Sequence, residues 1–308
     1  MEAELRRAAF GDAPDLDVWA ALSAACPRPR WLAAVVLGGQ GHYAAAATVL
    51  DALRHDPDPV IASLALSTRA SHHRQLGAHH LARALDGQAL ARVRSSGGAD
   101  PDSVDPDGVD PDGVDADGAR TDALLGLAAD SLGAGRLDEA RRLLALAGTP
   151  GAWRGEVRRG WVAAEIELAS GRADAAVAPA EAAHDVAARR KALRHELKSA
   201  LVLGTSLVVW GTPDGLKRGV RLVQCELNHS AEKGLFPLIW PSALVLADRA
   251  TTERASLLSQ AQKALSCVLS RAEPVSRLVA AESAWVPTGL LRSGEPPNAD
   301  PQANYLTD

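Results

Sequence analysis

The sequence is short of several things that would each point to a different kind of protein. Phe, Trp and Tyr together make up only 4% of its 308 residues. Runs of Val, Ile, Thr and aromatic residues in the alternating pattern of a half-buried strand are nearly absent, which argues against a β-rich fold. Cysteine occurs at only three separated positions, Cys26, Cys225 and Cys267. An odd, scattered set gives neither a disulfide framework nor a CxxC metal spacing. No stretch of about 18 apolar residues is present. The most hydrophobic segment, KSALVLGTSLVVW, is too short to span a bilayer, and the N-terminal MEAELRRAAFGDAPDLD has no apolar run of signal-peptide length. Together these absences predict a reduced, cytoplasmic protein with no membrane segment. Dinucleotide-binding, P-loop, zinc-protease and nucleophile-elbow motifs are all missing, so neither an enzyme nor a cofactor is expected.

What is abundant is Ala and Leu. Both are strong helix formers, and Ala lets helices approach closely. An all-α fold follows, and the bias toward Ala, Arg, Asp and Gly is that of a GC-rich, actinobacterial type of genome. The net charge is −5, yet residues 97–118 alone carry eight Asp and no Lys, Arg or Glu. The rest of the chain is therefore mildly basic, well short of the excess expected of a nucleic-acid binder.

A repeating grammar runs through the chain. WLAAVVLGGQGHYAAAATVLDALRHDPDP (31–59) reads as a helix, a Gly turn and a second helix with Ala46, Leu50 and Leu53 on one face, stopped by Pro57 and Pro59. The pattern returns at Gly77 with Ala70, Ala82 and Ala89, at Gly135 with Ala128, Ala140 and Leu144, at Gly171 with Ala164, Ala176, Ala180 and Ala183, and at Gly211 with Gly204. The turn glycines fall 36, 58, 36 and 40 residues apart. Removing the 22 residues from Gly97 to Gly118 brings the long interval to 36, which marks that segment as an insertion between two hairpins.

Small residue, turn Gly and following Ala in this register resemble the tetratricopeptide repeat over roughly residues 27–235. The resemblance implies a right-handed α-solenoid of five to six antiparallel helical hairpins. A degenerate sixth hairpin is expected at 238–270 and a sealing helix near 274–286. An N-terminal cap helix is expected at Asp15–Leu22. Residues 1–290 then form one repeat domain interrupted by a disordered acidic insertion at 97–118, and 291–308 form a disordered tail.

Four features are candidates for binding. The insertion DPDSVDPDGVDPDGVDADG alternates Asp as a calcium loop does, but Val109 and Val114 occupy ligand places and no Glu closes either loop. A solvated linker fits it better, with an acidic arm touching a basic surface as the alternative. Arg190, Arg194 and Lys198 lie four apart and would share one helical stripe, able to anchor a carboxylate, phosphate or acidic peptide. Deleting the insertion would strengthen partner binding if it covers that stripe. His72, His73, His79 and His80 straddle a predicted turn, without the acidic or thiol ligands to complete a metal site; an exposed turn is expected there. Trp31 and Trp161 share a phase beside Arg28, Arg30, Arg158 and Arg159, on the helix that lines the concave groove in the family resembled. Core packing is the simpler role for each Trp, with Arg158 and Trp161 as groove candidates.

The function these features fit is a non-catalytic scaffold or adaptor that holds another protein or an acidic peptide segment in its groove. RRKALRHELKSALVLGTSLVVWG is also similar to helical repeats of bacterial transcriptional regulators, so the alternative is a stand-alone ligand-sensing regulatory module. An enzyme of unfamiliar type in a helical scaffold is the remaining alternative.

Overall fold

The structure is a computed structural model that describes residues 1–95 and 110–291. The predicted disorder of 97–109 and of the tail from 292 onward lies outside the described residues. Within them the chain forms fourteen α-helices and no strand. In order these are α1 (Glu2–Phe10), α2 (Pro27–Gly39), α3 (Tyr43–Leu53), α4 (Pro59–Gln75), α5 (His79–Ser95), α6 (Ala116–Gly133) and α7 (Leu137–Ala147), followed by α8 (Trp153–Ala169), α9 (Ala173–Arg189), α10 (Leu193–Trp210), α11 (Pro213–Glu232), α12 (Phe236–Arg249), α13 (Arg254–Ser270) and α14 (Pro274–Glu282). Short 3-10 turns cover Trp19–Ser23 and Thr288–Leu291. No helix is long and apolar enough to cross a membrane among the described residues.

Local chemistry explains the helix boundaries. Pro27, Pro59, Pro213 and Pro274 sit in first turns, where their missing N–H is no loss. The side chains of Asp58, Asp115 and Thr212 accept hydrogen bonds from the backbone N–H groups of Val60, Gly118 and Gly215, capping α4, α6 and α11. All five turn glycines read from the sequence adopt positive φ, between 71° at Gly77 and 84° at Gly41, a conformation that costs a side-chain-bearing residue about 1–2 kcal/mol.

Consecutive helices pack as pairs: α2 on α3, α4 on α5, α6 on α7, α8 on α9, α10 on α11, and α12 on α13. Ala70, Ala128 and Ala164, the small positions of the repeat, are fully enclosed. The tightest crossing is between α10 and α11. A Cβ built on Gly204 would stand 2.5 Å from a Val223 methyl carbon, and one on Gly219 2.7 Å from the Gly204 carbonyl oxygen.

Two elements differ from expectation. The N-terminal helix is Glu2–Phe10, not Asp15–Leu22, where only the 3-10 turn Trp19–Ser23 forms. Leu5, Ala8, Ala9 and Phe10 bury α1 against the body, and Pro14 lies in the stretch between the two. Residues 110–118 of the acidic segment are also ordered: α6 begins at Ala116, inside the predicted insertion, and Asp115 caps it.

The chain curls back on itself. One large cluster of buried apolar residues joins α1–α4 to α8–α10, through residues such as Phe10, Trp31, Trp161 and Leu203. The C-terminal pair closes from the other side. The backbone N–H of Ala44 donates to the Arg271 carbonyl at 2.8 Å, Arg69 pairs with Glu273, and Trp285 Nε1 donates to the Gly133 carbonyl at 3.2 Å.

Candidate functional site

Closure leaves a cavity of about 110 Å³ inside the molecule, lined from α1, α2, α4, α6, α8, α10 and α12. These are the first helices of successive pairs, with α1 added, so the register that buries the small residues also turns one face of each inward. On α8 the inward face carries Arg154, Arg158 and Trp161, four and three residues apart; on α10 it carries Arg194, His195 and Lys198. Phe10 contributes from α1, and Pro237, Leu238 and Pro241 from α12.

The charges in the wall are unevenly matched. Asp122, on α6, receives Arg154 at 2.6 Å on one oxygen and Arg158 at 2.7 Å on the other. Arg154 also donates to the carbonyls of Asp112 and Gly113, at 2.9 and 3.1 Å. Lys198 lies 3.6 Å from the buried Glu165 carboxylate and 5.8 Å above the Trp161 ring. Arg194 pairs with no carboxylate among the described residues, and its enclosed Nε has no hydrogen-bond partner. Burial, and then repulsion from Arg158 and Arg154, push its guanidinium down to about 10.

Aromatic rings frame the same space. His195 stacks on Trp161 at 5.8 Å and 20°, meets the edge of Trp153 at 5.1 Å, and approaches Phe10 at 6.2 Å. Burial, reinforced by Arg194, Arg154 and Arg158, holds the His195 imidazole well below its ordinary pKa, so it is neutral at pH 7. Its Nδ1 has no partner within the described residues. The indole Nε1 of Trp161 donates to Ser199 at 2.8 Å, and that of Trp31 to Thr68 at 3.0 Å. Both Trp side chains therefore pack in the core and border the cavity at once.

Four of the five residues singled out in the sequence meet here: Arg158, Trp161, Arg194 and Lys198. Arg190 does not. α9 ends at Arg189, the turn passes through Lys191 at a φ of 54°, and Arg190 is left exposed outside. The expected stripe is thus two residues long, on α10. The His-rich turn differs too, because His72, His73 and His79 are buried. His72 stacks on Tyr43 at 4.8 Å, and His79 meets the edge of Trp285 at 5.5 Å. Among the described residues no three His, Cys, Asp or Glu converge as metal ligands.

Asp122, Arg154 and Phe10 escaped the sequence reading. Arg154 alone left a signal, its spacing to Arg158 and Trp161 on one face of α8. The acidic segment reaches the site from an unexpected side. Asp110 and Asp112 grip Arg6 of α1 at 2.6 and 2.7 Å, and Asp112 accepts from Trp153 Nε1 at 3.1 Å. The described contacts of Asp110, Asp112 and Gly113 outside the segment are with Arg6, Trp153 and Arg154.

No protein-family profile matches the chain, and no curated protein matches it.

Proposed function

We propose that the chain is a non-catalytic, tetratricopeptide-like binding module of six helix pairs that senses a small ligand in its inner chamber and conveys occupancy to a partner protein. Positive-φ glycines at a recurring register and enclosed small residues at matching phases support the right-handed solenoid part of this reading. The chamber carries the functional part. An adaptor that holds an extended peptide needs an open concave groove. Here α1 and α12 stand across the inner face, and the ties from Ala44 to Arg271 and from Gly133 to Trp285 close the ring of contacts. A space of about 110 Å³ suits a compact ligand, since an apolar cavity of about 150 Å³ takes up benzene.

A ligand there touches residues from seven helices at once, so its binding energy is spread over contacts that tie the first pair to the last. That is the arrangement by which occupancy changes the population of a more closed state. Intact-complex mass spectrometry of protein purified from its native cell tests the reading. The expected result is a stoichiometric small molecule that is lost in Ser71→Trp, which fills the chamber mouth. Binding of extended peptides with equal strength by wild type and S71W would return the adaptor reading.

A further inference from the structure

From the unmatched charge of the wall we infer that the chamber is an oxyanion site, built for a small organic acid whose carboxylate or phosphate is held by Arg194 and Arg158 while its apolar body lies against Trp161, Phe10 and Pro241. The inference rests on the chamber being the binding place and adds the chemical class of what it takes. Four cations face the space, with Asp122 and Glu165 as the carboxylates within reach of three of them. Asp86, which also feels the charge of Arg158, is engaged with Arg74 at 2.8 Å, and burial raises its pKa. Glu226, which faces Lys198 from α11, is pushed up to about 7 by burial.

Arg194 is thus a half-buried guanidinium whose enclosed Nε has no partner and which has no counter-ion among the described residues. A charge partly withdrawn from water without a partner is unfavourable, and a bound anion with matching hydrogen bonds relieves it. A guanidinium offers a planar fork of donors that suits carboxylate and phosphate alike. Arg158 has one oxygen of Asp122 and can turn its remaining donors to a ligand. The rest of the lining is of the other kind: rings and proline faces that take up an apolar body, and the hydroxyls of Thr68 and Ser71 at one side. A Cβ on Gly39 would stand 2.8 Å from Arg194 Cδ, so the bare backbone of α2 is what lets that arginine lie across the chamber.

The test is calorimetric titration of the full chain with benzoate, inorganic phosphate and the neutral isostere benzamide, on wild type, Arg194→Gln and the exposed control Arg190→Gln. Circular dichroism melts verify that each variant is folded. Saturable binding of benzoate or phosphate is expected, with the tighter of the two telling carboxylate from phosphoryl ligands. R194Q should weaken it at least about tenfold, the equivalent of one charge-assisted bond, and R190Q should leave it unchanged. Should R194Q prove too unstable, Arg158→Lys is expected to weaken binding as well, because a point charge cannot replace the fork. Equal affinity for benzamide and benzoate would overturn the oxyanion class while leaving the chamber as the binding place. Failure of both anions to bind folded wild type, or undiminished binding by folded R194Q, would also overturn it.

Discussion

Single side chains buried without full compensation should make this protein's stability depend on pH in two opposite directions. Glu226, on α11, has one oxygen accepting from Ser230 at 2.6 Å and faces the Ser242 hydroxyl of α12 with the carboxylate otherwise buried. Burial raises its pKa to about 7, against 4.5 for a free side chain. The folded state therefore binds this proton more tightly than the unfolded chain. Its contribution is complete below about pH 4.5 and is lost as the pH rises through about 7, a loss of about 3 kcal/mol. Glu226→Gln should remove that decline, seen as a flatter stability profile in denaturant titrations between pH 5 and 8. His73 works the other way. Burial, and then Arg69, depress it to about 4, so its contribution is present above about pH 6.5 and fades as acid protonates it.

At the scale of elements, α1 is held to the body in part by charge. Arg6 joins it to Asp110 and Asp112, and the Gly11 carbonyl accepts from Leu193 N–H at 2.9 Å. Arg6→Ala should raise amide hydrogen exchange over residues 2–10 by about tenfold, as a partly buried ion-pair cluster is worth more than the 0–1 kcal/mol of an exposed pair. Exchange in α4 and α5 should not change. The turns and the helix pairs were legible in the sequence because each is coded within about forty residues: Gly41 or Gly171 with its small partner and its following alanines. What was not legible depends on distant partners. The order of Asp110–Asp115 rests on Arg6 and Trp153, and the burial of His79 rests on Trp285. Arg190 was misplaced for a local reason, since the break at Lys191 uses a left-handed non-glycine residue and so carries no Gly to announce it. Of the chamber, Arg158, Trp161, Arg194 and Lys198 could be named, but their convergence needed the fold.

Across the whole molecule, the ties between its first and last helices should change how it melts. An open repeat array approximates a row of units coupled only to neighbours, and it loses cooperativity when lengthened or weakened at one end. Here α2–α4 also contact α12–α14, so calorimetric and van't Hoff enthalpies should agree in one transition. Trp285→Ala removes the Gly133 bond and the ring edge against His79. It should lower that transition by a few degrees, at a cost of about 2 kcal/mol for a half-buried aromatic that also loses a hydrogen bond. Separate early melting of α12–α14 in wild type would contradict the closed arrangement.

His42 and Arg271, whose side chains meet at 3.3 Å, are 229 positions apart in the chain. During synthesis at about 5–20 residues per second, roughly ten to fifty seconds pass between their emergence from the ribosome. Throughout that interval the nascent first hairpins leave Tyr43 and Leu76 bare, since both are covered by residues of α12 and α13.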